Sequence, residues 1–508
     1  MAGQSVAFRV DASLEIGTGH FMRCLTLADA LKLRGAHLRF VSRHLPAYLR
    51  DLLTDKGYEY RLLPDPSQPV TVDELPHAHW LGASQMHDAQ DCAVLLRDRN
   101  WDWLVVDHYA LDQRWESASR HVAAKILVID DIADRQHDCD ALLDHNFYLD
   151  MYTRYVGKAP SHCQLLLGPR YALLRDEFRA TRAELKPRTG AVKRVLLFFG
   201  GVDAANFTGR AIEALVRAAH PGLNVDVVVG TQHPFRAQVE SECARHGFLC
   251  HVQTDQMARL MARADLGIGA GGTATWERCC LGLPTLAFGV AENQYQMVED
   301  LTQAAYLFGY PDGSGVSQSD LASLLQVALK NGPMRRGMSE RAMDLVDGAG
   351  ALRVARHLLT NAFIFRQATL IDTELIHSWR NHPDIRSKAH HIGHIDAATH
   401  GAWVQATLAD PSRHLLIAEI DGAPVGVVRF DVRASDALIS VYLSPDHLHQ
   451  GMGVPLLRQA TDWLRNAKIP VKQIVAEVNA DNISSLASFA KAGYLNQSHI
   501  FKLDLEQA

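Results

Sequence analysis

Near the N-terminus an apolar run, Val6–Val10, is followed by Asp11 and then by Ile16-Gly17-Thr18-Gly19-His20, where helical spacing begins. A histidine at a helix start is suited to general-base work: the positive end of the helix dipole disfavours imidazolium, so a neutral ring stands ready to take a proton from water. Gly17 and Gly19 let backbone and substrate approach closely. Asp11 is a second base or an orienter, or a carboxylate that merely holds the loop. Far along the chain, Gly271-Gly272-Thr273 opens a helix that closes near Gly282-Leu283-Pro284. Free N–H groups at that helix start suit a diphosphate; the plainer reading makes Thr273 an ordinary N-cap with two glycines turning the chain. Glu277, one turn in, is placed to bond a ribose or simply to favour a first turn. Asn293 and Gln294 offer amides to a phosphate or sugar, or form a polar turn.

A second glycine-bearing loop, Gln450-Gly451-Met452-Gly453-Val454, stands between the apolar run ending at Leu443 and a helix, again an amide nest for phosphates. Two patterns invite a metal reading, Asp138-Cys139-Asp140 and the His390–His394 stretch HHIGH. The histidine stretch lacks a complete ligand set, and no metal is expected.

These residues need elements to hold them. The chain has 508 residues, more than one core usually serves, with 47% hydrophobic and 21% charged residues. A formal net charge of -6 gives no basic footprint for nucleic acid, so a small-molecule substrate is expected. The eight cysteines form no C-x-x-C pair or zinc spacing and read as buried thiols of a reducing compartment. The first residues carry no basic-then-apolar leader pattern and no uncharged apolar run reaches about 18 residues, so a cytoplasmic location without membrane contact is expected. Short β-rich runs alternate with amphipathic helical segments through the first two thirds, which argues for parallel sheets of β-α-β units. The polar, proline-bearing break Arg179–Arg194 separates two similar halves. In each half the polar loops follow the strands directly: Asp11–His20, Asp107-His108 and Asp130-Asp131 in the first, Gly200-Gly201 and Gly271–Thr273 in the second. Such loops converge on one crevice at the carboxyl ends of the strands. Past about residue 360 the texture becomes that of an α+β domain.

The stretch GAGGTATWERCCLGLPTLAFGVAENQ resembles the nucleotide-sugar half of GT-B glycosyltransferases. RVDASLEIGTGHFMRCLTLADAL, HWLG, VVDHYALD, VIDDIADRQHDCDALLD, LLLGPRYALLRDEF and FFGGVDAANFT resemble the UDP-2,4-diacetamido-2,4,6-trideoxy-β-L-altropyranose hydrolases of pseudaminic acid synthesis, over about residues 5–360. The resemblance implies two Rossmann-like lobes in a GT-B arrangement, cleavage of a UDP-sugar by water with inversion, and His20 as base. It also implies Asn293 at the sugar and phosphate, Glu277 on the ribose, the backbone near Met257 on uracil, and no metal role for Asp138–Asp140. The C-terminal SVYLSPDHLHQGMGVPLL with VNADNISSLASFAKAGY resembles GNAT acetyltransferases. That resemblance implies acetyl-CoA as cosubstrate, its pantetheine arm along the strand ending at Leu443, its pyrophosphate on residues 450–454, and a polar contact from Asn482. Two residues depart from the family pattern: Pro455 in the loop, cheap at a helix's first turn, and Phe489 where a tyrosine often protonates the leaving thiolate. Tyr442 and Glu419 are candidate helpers or structural residues. The expected domains are 1–178, 190–360 and 363–508. The expected function is a bifunctional enzyme that N-acetylates a UDP-amino-sugar and hydrolyses a UDP-sugar. The rival readings are a GT-B glycosyltransferase with a hydroxyl acceptor and a non-catalytic module that binds nucleotide sugar and CoA.

Overall fold

The computed structural model describes residues 4–65, 73–218, 222–359, 363–389, 392–420, 422–448, 451–467 and 469–495. The chain divides into two compact units, Met1–Leu359 and Thr360–Ala508. The first unit carries two parallel sheets. One contains β1 (Ser5–Val10), β2 (His37–Ser42), β3 (Glu59–Leu62), β4 (Trp101–Asp107), β5 (Ala123–Ile129), β6 (Ala141–Asp144) and β7 (Gln164–Leu167), in the order β3-β2-β1-β4-β5-β6-β7. The other contains β8 (Arg194–Phe198), β9 (Asn224–Val229), β10 (Leu249–Val252), β11 (Leu266–Ala270), β12 (Thr285–Phe288) and β13 (Phe308–Tyr310), in the order β10-β9-β8-β11-β12-β13. Both orders reverse direction once, between β1 and β4 and between β8 and β11, and ligands of doubly wound sheets bind at such switch points. The reversal puts the loops holding His20 and His108 side by side in the first lobe, and those holding Gly200 and Gly272 side by side in the second.

Every residue of β1 is buried, as helices on both faces of a parallel sheet require. The strands absent from the sequence reading, β3, β6, β7, β10 and β13, are edge or near-edge pieces of three or four residues, too short to show a period. Two segments near the expected domain limits are tied into the lobes. The Gly350–Leu358 helix sits by sequence in the second lobe, yet Ala351, Val354, Ala355 and Leu358 pack into the core of the first with Phe21 and Leu31, and Trp103 Nε1 donates to the Leu358 carbonyl at 2.7 Å. The polar break is bound rather than free. Arg182 donates to the Cys280 and Met343 carbonyls at 2.7 and 2.9 Å, while Arg188 reaches the carbonyls of Met261, Ala262 and Ala264 at 2.9–3.1 Å and that of Leu281. Those carbonyls lie at the ends of three helices, Met257–Arg263, Ala274–Cys280 and Gly332–Leu345, where a cation meets both unpaired acceptors and the negative dipole end.

The second unit is one five-stranded sheet: β14 (Ile364–Gln367), β15 (Arg413–Ile420), β16 (Ala423–Arg433), β17 (Asp436–Leu443) and β18 (Gln473–Ala476), in sequence order. Its pairs are antiparallel except the last, β17 with β18, which is parallel. The Gly453–Asn466 helix buries Leu456, Leu457, Ala460 and Leu464 against Phe430 and Ile439.

Candidate active site

His20 is the second residue of the Gly19–Lys32 helix and follows a glycine turn pinned by the Gly17 N–H to the Ser13 carbonyl at 2.9 Å. A Cβ added at Gly17 or Gly19 would meet nothing within 4 Å, so the turn is open beside both glycines. His20 Nδ1 lies 2.6 Å from Asp107 Oδ1 at the end of β4. Burial by itself would push Asp107 up, but the Arg23 guanidinium and His20 outweigh it and hold the carboxyl well below the usual range. An ionised oxygen at that distance has to receive a proton, so Nδ1 carries it and Nε2 keeps its lone pair. The His20 side chain is 11% exposed, and Nε2 has no partner among the described residues.

Asp107 was expected to touch substrate, and the structure corrects this. Its oxygens are filled by His20, by Arg23 Nε at 2.6 Å and by Arg23 Nη2 at 2.7 Å, and the residue is 1% exposed. It orients the base. Arg23 also donates to Asp131 at 2.9 Å, and Tyr109 donates its hydroxyl to the other Asp131 oxygen. Burial, reinforced by Asp131, keeps the Tyr109 phenol protonated well above its ordinary range, and its ring meets His20 edge-on at 4.5 Å. Trp80 stacks on Tyr109 at 5.8 Å, completing an aromatic wall.

Asp11 is not a second base. Sealed from solvent, it takes Arg9 at 2.6 and 3.0 Å and the Arg43 amide at 2.7 Å, so it fastens β1 to the loop after β2. His108 is corrected likewise: it is buried, its Nδ1 accepts the Ala110 N–H at 3.1 Å, and its Nε2 lies 3.2 Å from Asp11. Asp138 and Asp140 both pair with Arg120, at 2.6 and 2.5 Å, at the start of β6, the end of the sheet away from His20. Among the described residues no group of three or more His, Cys, Asp or Glu side chains is placed to hold a metal.

In the second lobe, Thr273 makes no side-chain cap, so the ordinary N-cap reading does not hold. The Gly271 amide is spent on the Phe288 carbonyl at 2.8 Å, leaving those of Gly272, Thr273 and Ala274 without an acceptor among the described residues. The Glu292–Gln303 helix also starts without a side-chain cap; Asn293 is exposed, and Gln294 turns its carbonyl back to the Val290 amide at 3.2 Å. Burial pushes the Glu277 carboxyl up to about 7, with Arg175, 3.7 Å away, only partly offsetting it. Gly200 and Gly201 sit at the carboxyl end of β8, where the Gly201 carbonyl accepts the Gly230 N–H at 3.1 Å. Asp203 and Asn206 cap the helix that follows, so that helix start is closed by the protein's own groups. The Met257 side chain is core, leaving its backbone at the helix start.

In the C-terminal unit, β17 pairs with β18 only as far as Ile439 with Ala476. Ser440–Leu443 continue bonded to β16 alone, which leaves one backbone edge of that stretch without a described partner. Gly451 has a φ of +73, a left-handed conformation that favours glycine; Met452 is buried, and Gly453 and Val454 begin the helix without a side-chain cap. Gln450 lies outside the described residues, as do His390 and His391. Asn482 uses its carboxamide oxygen to cap its own helix through the Ser485 N–H at 3.2 Å. Phe489 packs edge-on against Tyr494, 5.0 Å away. Glu419 is taken by Arg366 at 2.6 Å and so is structural; burial raises the Tyr442 phenol well above its usual range.

The first unit thus holds two doubly wound parallel-sheet lobes, and the second a mixed five-stranded sheet. Residues 376–494 match the Acetyltransferase (GNAT) family model. The chain is 23% identical over 307 residues to the UDP-2,4-diacetamido-2,4,6-trideoxy-beta-L-altropyranose hydrolase of Campylobacter jejuni, covering 60% of this chain and 98% of that one. It is 22% identical over 355 residues to the spore coat polysaccharide biosynthesis protein SpsG of Bacillus subtilis, covering 69% and 96%. Among solved structures, Acinetobacter baumannii MurG shares 13% identity, with a TM-score of 0.49, over 70% of this chain and 99% of that one.

The sequence reading did not include Arg23, Asp131, Asn146, Arg175 or Trp276 among the site residues. Arg23 had a signal, since it stands three residues after His20 and so shares its helix face. Asn146 and Trp276 had none, because only the docking of the lobes brings them together.

Proposed function

We propose that the first unit hydrolyses a UDP-amino-sugar, of the diacetamido-trideoxy-altropyranose class, to UDP and free sugar with inversion, and that the GNAT domain acetylates the 4-amino group of a UDP-sugar precursor. The observation that carries the first half is the His20–Asp107 pair with Nε2 unengaged. Nε2 takes a proton from water, and the oxygen attacks the anomeric carbon on the face opposite the diphosphate. The anomeric C–O bond breaks with its electron pair leaving on UDP, and the imidazolium formed is held by Asp107. One base suffices because UDP is already a good leaving group, unlike the alkoxide of an ordinary glycoside. The free amides of Gly272, Thr273 and Ala274, with Asn293, receive the diphosphate charge; Glu277 takes the ribose and the backbone at Met257 the uracil. Gly17, Thr18, Gly19, Gly200, Gly201 and Gln294 line the sugar and phosphate path.

In the second half, the amine nitrogen attacks the thioester carbonyl of acetyl-CoA, the C–S bond breaks with its electron pair leaving on the CoA thiolate, and the proton shed by the amine passes to solvent or to that thiolate. Support comes from the unpaired Ser440–Leu443 edge, which suits an amide-bearing pantetheine arm, and from the uncapped amides at Gly451–Val454. Phe489 supplies no proton, so the thiolate departs unassisted or with help from solvent.

The test follows UDP release and N-acetylation by NMR on candidate UDP-amino-sugars, with and without acetyl-CoA. His20→Ala is expected to abolish UDP release and spare acetylation; Gly451→Val, forced into a conformation valine resists, is expected to do the reverse. Wild-type behaviour from both variants would overturn the assignment. UDP release that waits on an added hydroxyl acceptor would make the enzyme a glycosyltransferase instead.

A further inference from the structure

The bonds that set the base do not stop at Asp107. Arg23 bridges Asp107 to Asp131. Asn146, just past β6, donates its Nδ2 to Asp131 Oδ2 at 3.4 Å and accepts the indole N–H of Trp276 on its Oδ1 at 3.0 Å. An indole N–H only donates and an ionised carboxylate only accepts, so a single orientation of the Asn146 amide serves both. Trp276 is wholly buried and lies between Thr273 and Glu277, on the helix that the proposed function gives to the diphosphate and ribose. The path runs from that helix in the second lobe, through Trp276, Asn146, Asp131, Arg23 and Asp107, to Nδ1 of His20 in the first.

We infer that Asn146 and Trp276 are positioning residues that couple nucleotide binding in the second lobe to the orientation of His20 in the first. The inference rests on the proposed hydrolysis of a UDP-sugar. Asp107 and Asp131 carry two negative charges against the one positive charge of Arg23, so the cluster is one charge short until His20 takes its proton. A shift of the Ala274–Cys280 helix as it closes on a diphosphate moves the Asn146 amide, and through Asp131 and Arg23 it moves the carboxylate that aims the ring. His145 backs this cluster: burial, aided by the Arg23 charge, pushes its imidazole down to about 4, so it stays neutral and does not supply the missing charge.

The test uses full-length Trp276→Phe, which keeps the ring and removes the N–H, and Asn146→Ala, which removes both contacts without touching the second lobe's core. Steady-state UDP release separates kcat from KM, and the ring-nitrogen NMR signals of His20 are recorded with and without UDP. Misplacement of a base by a fraction of an ångström to 1 Å is expected to cost about 10- to 100-fold in kcat, with KM changed less than about two-fold. In wild type, UDP moves the His20 signals; in both variants UDP still binds and the signals stay put. Wild-type kcat with a wild-type UDP response in both variants would overturn the coupling while leaving hydrolysis intact. Full hydrolysis by His20→Ala would instead remove the reading on which the coupling rests.

Discussion

At the scale of single residues, Asp107 and Glu277 are two carboxyl groups that burial pushes the same way, upward, and that neighbouring positive charge separates. Asp107 is buried but bonded twice by Arg23, so it stays ionised and fixes the tautomer of His20. Asp107→Asn is expected to lower kcat for UDP release about 10²- to 10⁴-fold with KM nearly unchanged, because a neutral amide neither enforces that tautomer nor stabilises the imidazolium. Initial rates across substrate concentration check it. Glu277 is largely withdrawn from water, and Arg175 at 3.7 Å with Arg278 only partly offsets this, so its carboxyl is pushed up to about 7 from an ordinary value of 4.5. The folded protein therefore holds the proton that the unfolded chain has released, and stability falls as pH rises from about 4.5 through 7. Glu277→Gln removes that penalty: its stability relative to wild type is expected to grow from nothing near pH 4 to as much as about 3 kcal/mol near pH 8. Denaturant titrations at the two pH values decide it.

At the scale of elements, the segment between the lobes works as a clasp. Arg188 serves the carbonyl ends of two helices at once, and one of them, Ala274–Cys280, carries the amides proposed for the diphosphate. Arg188→Met leaves buried carbonyls without donors and is expected to cost about 3 kcal/mol, with UDP affinity falling alongside. Calorimetry of folding and of UDP binding measures both. The switch points explain why chemistry gathers where it does: in each sheet, adjacent strands send their next helices to opposite faces, and the gap left between the loops exposes helix starts.

At the scale of the whole molecule, two compact units each carry a core of their own, and no described helix is long and apolar enough to cross a membrane. His20→Ala and Gly451→Val alter different units, so each is expected to silence one activity, and the double variant both, in the same NMR assay.

The alternation of strand and helix, the two-lobe plan, the C-terminal α+β domain and the place of His20 at a helix start are legible from residue order, because they depend on local period and turn chemistry. Residue types alone read Asp11, Asp107 and His108 as a polar group facing substrate, since a carboxylate at a strand end looks the same from the chain whether it meets solvent or an arginine. Only the fold decides which it meets: Arg9 and Arg43 close over Asp11, while Arg23, one helical turn past His20, turns Asp107 from a ligand for substrate into the orienter of the base. Nor does residue order foretell that Trp276 meets Asn146, for that contact joins two sheets that are separate in sequence and is set by how their buried faces pack.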